Sequence, residues 1–381
     1  MKIAVVHDYF TQLGGAEKVA EELYRLAPGS TLVSTVALRD RMPASLQGAG
    51  VRTSWLQGMP GMKKYFRLYF LLYPMAVRSL DLSRFDLVLS SSSGYAKGVR
   101  THRDALHVCY CHTPMRWAWN FDDYSAREQM GIARKTILPT LISLLRRWDE
   151  DASRQPDHLI ANSQTVAKRI ALVYGRAAEV IHPPVDVDRF RLSSEQGDYY
   201  LVLSRLVSYK RIDLAVQACT LLNRNLIVIG EGTHRKQLME KAGPTIKFMG
   251  RLPDEDVEYL VSRCRALIFP GEEDFGIAPL EVAAAGRPCI AYRAGGALET
   301  IVDGATGVFF DQQTPEDLAE CIEDFERRDW SPVALQVHAS NFRREVFQER
   351  MRAFLVRAGC PLPAIEAQSG LFNSKRASEA A

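Results

Sequence analysis

No Asp or Glu occurs between Arg41 and Leu80. In a chain of 381 residues with 45 acidic and 48 basic side chains that gap is local, and the net charge of +3 offers no whole-chain electrostatic reason to expect a nucleic-acid partner. The sequence also lacks any apolar run approaching about 18 residues, so no membrane-spanning helix is expected. Its start, MKIAVVHDYF, is interrupted too soon by polar residues to read as a signal peptide. The seven cysteines show no metal-ligand spacing. Cys109 and Cys111 fall on one face of a strand pattern, and this usage points to a reduced, cytosolic setting. Finally, no GxGxxG turn follows the first strand pattern, which counts against a dehydrogenase or an epimerase.

What fills the acid-free segment is MKKYFRLYFLLYPMAVRSL, with Arg52 and Trp55 ahead of it. Its lysines, arginines and aromatics suit an interfacial helix on anionic lipid, with Lys63, Lys64 and Arg67 as the membrane contacts. A core helix with basic ends fits equally well.

Strand and helix patterns alternate throughout. KIAVVH, TLVSTV, DLVLSS, LHVCYC, HLIAN and AEVIHP read as strands in the first half, and YYLVLS, NLIVIG, IKFMG, ALIFP, PCIAY and GVFF in the second. Helical patterns lie between them, so the expected fold class is α/β, with two doubly wound, Rossmann-like domains facing a cleft. The length also exceeds what one core usually serves. The stiff Pro183-Pro184 pair suggests domains at 1–185 and 186–341, and PLPAIEAQSGLFNSKRASEAA (361–381) reads as a disordered tail.

Ligands of open parallel sheets collect beyond the C-terminal ends of the strands. The chain places its unusual residues there: HDYFTQLGGAEKV with Gly14 and Gly15, the run from His112 to Trp117, Arg205 and Lys210, Gly230-Glu231-Gly232, and EEDFGIAPLE at 272–281. His112 before Thr-Pro suits a turn cap, but its strand-end position favours a site residue. Arg205 and Lys210 can converge on one anion. The acids of EEDFGIAPLE, at an expected helix start, fit the helix dipole; that leaves an exposed Phe275-Gly276 pair and a second acid, Glu281, unexplained. Helix-start amides at Gly276 and Ile277 can bind a diphosphate while the separated carboxylates accept from sugar hydroxyls. Phosphate in the middle with hydroxyls on both sides describes a nucleotide sugar.

The stretch FPGEEDFGIAPLEVAAAGRPCIAYRAGGALETI resembles the signature of retaining glycosyltransferases of family 4, whose two glutamates are separated by seven intervening residues, here Glu273 and Glu281. SRLVSYKRID and GGAEKV match further family motifs, and the resemblance spans roughly residues 1–358. It implies the GT-B fold, with a helix at 342–358 crossing back to an acceptor-binding first domain and the second domain holding the donor. Arg205 and Lys210 are then expected to neutralise the donor diphosphate. Glu273 would accept from the donor sugar near the Phe275, Gly276 and Ile277 backbone, and Glu281 would hold the ribose. Gly250, Arg251 and Leu252 would line the base pocket, His112 would lie beside the donor sugar, and Gly14 and Gly15 would admit phosphate and acceptor. No metal or other cofactor is expected. The pattern also resembles the bacterial branch that builds O-antigen and exopolysaccharide, which implies mannose from GDP-mannose, a lipid-diphosphate-linked saccharide acceptor, and a place on the inner face of the cytoplasmic membrane. A UDP-hexose or UDP-N-acetylhexosamine donor, or a non-catalytic sugar-nucleotide-binding protein, are the alternatives. Asp274 and Arg211 depart from the family, which often has Gly at both places.

Overall fold

The computed structural model describes residues 1–119 and 132–362. The tail expected at 361–381 lies outside the described residues from 363 onward. Two all-parallel sheets organise the rest. The first contains β1 (Ile3–His7), β2 (Thr31–Ser34), β3 (Val51–Thr53), β4 (Leu87–Ser92), β5 (Leu106–Cys111), β6 (His158–Ala161) and β7 (Glu179–Val180), in the order β3-β2-β1-β4-β5-β6-β7. The second contains β8 (Tyr200–Leu203), β9 (Leu226–Ile229), β10 (Ile246–Gly250), β11 (Leu267–Phe269), β12 (Cys289–Tyr292) and β13 (Gly307–Phe310), in the order β10-β9-β8-β11-β12-β13. Twelve of these strands lie on the runs read from the sequence. The exception, β3, is a three-residue edge strand whose side chains are mostly exposed, so it carries no apolar signal.

Central strands such as β1 and β4 are buried at every position, as both faces of a parallel sheet must be when helices cover them. In each sheet the strand order reverses at one point, between β1 and β4 and between β8 and β11. Connections diverge there and leave a crevice at the strand ends. At the first reversal the buried Asp8 ties the two connections together, accepting from the backbone N–H groups of Ser93 (2.6 Å), Tyr95 (2.8 Å) and Ala96 (2.5 Å).

The last described helix, Arg344–Arg357, buries Phe347, Met351, Phe354 and Leu355 against Val5, Leu89, Val108 and Tyr110 of the first sheet. Four such side chains, each worth about 1.5–3 kcal/mol when fully buried, anchor the C-terminal segment to the N-terminal core. Near its crossing the chain pairs with itself, Val185 donating its N–H to the Phe342 carbonyl at 2.8 Å.

The acid-free segment is not one helix. Gly61, at φ 64°, starts a short helix Met62–Tyr65, a 3-10 turn Phe66–Tyr69 follows, and Pro74 opens a second short helix, Tyr73–Arg78. Pro74 lacks the N–H that a continuous helix would need there. The core reading holds for one face of the segment. Met62, Tyr73 and Ala76 enter a core cluster, while Tyr65, Leu68, Leu71 and Met75 are exposed beside Lys63, Lys64 and Arg67.

Candidate active site at the domain cleft

The second reversal places two connections side by side, residues 204–211 after β8 and 270–276 after β11. They touch through backbone: a Cβ on Gly271 would lie 2.8 Å from the Lys210 carbonyl. Lys210 Nζ makes an ion pair with Glu273 Oε1, and both side chains are largely buried. Burial, followed by the positive charges of Arg205 and Arg116, pushes the Lys210 ammonium down to about 7, with Asp274 acting in the opposite sense. Arg205 is exposed at the crevice mouth and donates to the Tyr209 hydroxyl at 3.2 Å. Arg211 occupies the left-handed region (φ 51°, ψ 35°) that Gly adopts at no steric cost. Its guanidinium is held there by Asp213 (3.2 and 3.3 Å) and by Gln313 (3.2 Å).

EEDFGIAPLE does not begin a helix with its acids. The helix runs Ile277–Ala284, has no acidic residue in its first turn, and is preceded by Gly276 at φ 97°. The dipole reading is therefore wrong, because the carboxylates sit in the connection and have side-chain partners. Glu273 meets Lys210; Asp274 reaches across to the first domain, pairing with Arg116 at 3.3 Å and with Arg169. Phe275 is not exposed either. It is 4% accessible and stacks on His182 at 5.3 Å beside Phe342. The glycine at 276 is required by its positive φ, whereas Gly296 is required by closeness, since any Cβ there would run into the Phe275 backbone. Glu281, one turn into the helix, is buried and accepts from Lys18 Nζ at 3.1 Å.

Among the remaining expected site residues, Gly15 opens helix α1 (Gly15–Leu26) and lies so near the second domain that a Cβ would meet Ile277 Cδ1 at 2.7 Å. Gly14 is extended, and a Cβ there would sit 3.1 Å from Glu17 Oε2. His112, at the end of β5, is 8% accessible, its Nε2 lies 2.8 Å from Ser91 Oγ, and its carbonyl accepts from Asn162 at 3.0 Å. Burial and the neighbouring His7 push its imidazole down to about 3, so it is neutral at physiological pH. Gly250 ends β10 with φ 70°, and its carbonyl accepts from Gly230 at 2.8 Å; Arg251 is exposed and Leu252 half-buried. The strand order sets Gly250, Gly230, Arg205 with Lys210, and Glu273 in one row along the crevice.

Sequence reasoning missed the residues that join the halves. Lys18 and Glu299 lie inside the quoted motifs and Arg169 and His182 outside them, but none received a role, because the partner of each appears only when the other domain arrives. Glu299 accepts from the free N–H groups of Gln164 (2.8 Å) and Thr165 (3.2 Å) at the start of helix Gln164–Tyr174, and from His182 Nε2 at 3.1 Å. Burial disfavours charge on this carboxylate, but the hydrogen bonds from His182 and from the capping N–H groups of Gln164 and Thr165 outweigh it and hold Glu299 below the ordinary carboxylate range. No group of three or more potential ligands among the described residues could hold a metal ion.

Two family models cover nearly all of this architecture. Residues 13–189 match the model described as Glycosyltransferase Family 4, and residues 185–341 the one described as Glycosyl transferases group 1. The chain belongs to the family 4 glycosyltransferases. The chain is similar to the GDP-mannose-dependent alpha-(1-6)-phosphatidylinositol monomannoside mannosyltransferase of Mycolicibacterium smegmatis, 27% identical over 249 residues, or 57% of this chain and 64% of that one. An uncharacterised glycosyltransferase of Methanocaldococcus jannaschii is 27% identical over 178 residues, 45% of this chain and 50% of its own. The chain thus spans between half and two thirds of the length of these two relatives. The solved structure of Anabaena HepE with UDP and glucose superposes with a TM-score of 0.67 at 17% identity, covering 93% of this chain and 99% of the other. The sucrose-phosphate synthase of Thermosynechococcus elongatus gives 0.68 at 13%, covering 94% and 99%. These likenesses fix the GT-B fold of this family 4 chain.

Proposed function

We propose that this chain transfers a hexose, with retention, from a nucleotide sugar to a lipid-diphosphate-linked saccharide, and that the hexose is mannose from GDP-mannose. The observation that carries the reading is the alternation of charge along the crevice. Arg205 and Lys210 supply two cations at the strand reversal, with Glu273 on one side and Glu281 one helical turn beyond Ile277. A diphosphate would take Lys210 from Glu273, freeing that carboxylate to accept from the sugar. Ribose hydroxyls would take the place of Lys18 at Glu281.

In the transfer step the bond from the anomeric carbon to the diphosphate oxygen breaks as charge builds on that oxygen. Arg205 and Lys210 stabilise it, Lys210 being already in place and largely shielded from water. The acceptor oxygen bonds to the anomeric carbon from the same face, and its proton passes to the departing diphosphate. His112 would lie beside the sugar, and Gly250, Arg251 and Leu252 beside the base. The group carrying the chemistry is the substrate itself, with no further cofactor.

Mannose is favoured because one of the relatives is named as GDP-mannose-dependent and another, a 41% match over 80 residues, as an alpha-1,3/1,6-mannosyltransferase of Dictyostelium discoideum. A UDP-hexose is the second reading, since a neighbour of the same fold was solved with UDP and glucose. A panel of nucleotide sugars scored by thermal stabilisation separates the two, because a ligand at 100 times its Kd adds about 2.7 kcal/mol. GDP-mannose should raise the midpoint most; stabilisation by UDP-sugars alone would overturn the mannose assignment. Slow release of nucleoside diphosphate that Arg205→Ala abolishes distinguishes an enzyme from a binding protein.

A further inference from the structure

Behind His112 the first domain buries a line of polar groups that the transfer chemistry leaves unused. Glu17 and His7 are each 2% accessible and Ser91 is fully buried. Glu17 Oε1 lies 3.8 Å from His7 Nε2, His7 Nδ1 lies 3.1 Å from Ser91 Oγ, and Ser91 Oγ lies 2.8 Å from His112 Nε2. The other carboxylate oxygen, Glu17 Oε2, has no hydrogen-bond partner among the described residues, and Gly14 leaves it uncrowded. A buried carboxylate with so few donors sets the polarity of whatever it faces.

We infer that Glu17, acting through His7 and Ser91, fixes the tautomer of His112 so that Nε2 carries the proton and Nδ1 is a hydrogen-bond acceptor. A neutral imidazole has one N–H, and a hydroxyl has one proton to give. Ser91 has three neighbours to choose from, the two histidines and the Ala16 carbonyl at 3.4 Å. If its proton went to His112 or to Ala16, His7 would have to donate from Nδ1 and would turn the bare lone pair of Nε2 toward the Glu17 carboxylate. Only one order with both imidazoles neutral avoids this repulsion. His7 turns Nε2–H toward the Glu17 carboxylate, an electrostatic contact at 3.8 Å, Ser91 donates to His7 Nδ1, and His112 donates from Nε2 to Ser91. His112 Nδ1 is then left unprotonated. Glu17, His7 and Ser91 are positioning residues, and a Cβ on Gly14 would press to 3.1 Å on the carboxylate that starts the chain.

The consequence for substrate rests on the proposed placement of His112 beside the donor sugar. An imidazole that accepts selects a hexose hydroxyl that donates, and it is also the form able to take up a proton. The order itself is testable without any substrate. Long-range 1H–15N correlation of histidine-labelled protein at pH 8 reads which ring nitrogen is protonated. We expect Nε2–H on His112 in the wild type. In Glu17→Gln the amide can either accept from or donate to His7 Nε2, so both orders of the line become accessible and His112 should populate Nδ1–H as well. A wild-type His112 protonated on Nδ1, a doubly protonated His7, or an unchanged His112 tautomer in Glu17→Gln would each overturn the inference. If Glu17→Gln does not fold, Ser91→Ala serves: without the hydroxyl the Nε2 proton is no longer held, and the two tautomers should interconvert, whereas persistence of pure Nε2–H would overturn it. Thermal stabilisation by donor sugars, measured on the same samples, reports separately on the proposed function.

Discussion

Lys210 is the residue whose chemistry is most altered by its surroundings. Burial and the guanidiniums of Arg205 and Arg116 hold its pKa down at about 7 against the opposing pull of Asp274 and the Glu273 ion pair, so part of it is an uncharged amine at pH 8. A bound diphosphate favours the ammonium, and the bound pKa must rise. Nucleoside diphosphate binding should therefore take up a proton at pH 8 and almost none at pH 6, where Lys210 is already charged. Calorimetric titrations in two buffers of different ionisation enthalpy measure this directly; equal apparent enthalpies at pH 8 would refute it, and Lys210→Arg should abolish the uptake. The neighbouring Arg211 shows that departures from a family pattern need not disturb a site. Its left-handed backbone is what Gly would supply, and Asp213 with Gln313 hold the larger residue in it. Asp274, the second departure, turns a position often filled by Gly into a bridge to Arg116 and Arg169.

At the scale of elements, the segment from Met62 to Arg78 is broken so that one face packs and the other does not. Leu68 is 67% and Met75 63% accessible, and no acidic residue lies between positions 41 and 80 to repel an anionic surface. Lys63 does pair with Asp40 at 3.3 Å, but both are exposed and such a pair yields readily. We propose that this face rests on anionic lipid, each cation contributing on the order of 1 kcal/mol. Replacing Lys63, Lys64 and Arg67 by Glu should release the protein from phosphatidylserine vesicles in a sedimentation assay, whereas undiminished binding would exclude the proposal. The strand ends were legible because apolar runs and glycines mark them. The broken helix was not, since a run rich in Leu, Tyr and Phe reads alike whether it continues or turns.

At the scale of the molecule, stability should depend on keeping two histidines neutral. Burial holds His107 near about 4 and His112 near about 3, both below the usual imidazole value. Unfolding releases them to bind protons, so the unfolded state gains protons first as pH falls through the ordinary imidazole range. Stability is fully present above that range and is lost progressively between pH 7 and about 4. Urea midpoints at pH 7, 6 and 5 should fall, and they should fall less in His107→Gln and His112→Gln; a flat wild-type profile would contradict the burial of both rings. The two halves are joined by Glu299 capping Gln164–Tyr174, by Lys18 with Glu281 and by Asp274 with its arginines. Glu281 and Asp274 belong both to these joints and to the EEDFGIAPLE segment of the candidate site, so donor entry and domain contact draw on the same groups.

The order of strands and helices, the two-sheet architecture, the row of strand-end residues and the family were set by local sequence: apolar period, turn residues and fixed spacing are all short-range quantities. Which carboxylate meets which cation was decided only by the tertiary structure. Lys18 and Glu281 stand 263 residues apart and Arg169 and Asp274 stand 105 apart. Such pairs leave no periodic trace in either segment, because they depend on how two independently wound sheets face each other across a cleft. The acids of EEDFGIAPLE looked like helix-dipole partners for that reason, and the line from Glu17 to His112 was invisible until β1, β4, β5 and α1 were folded side by side.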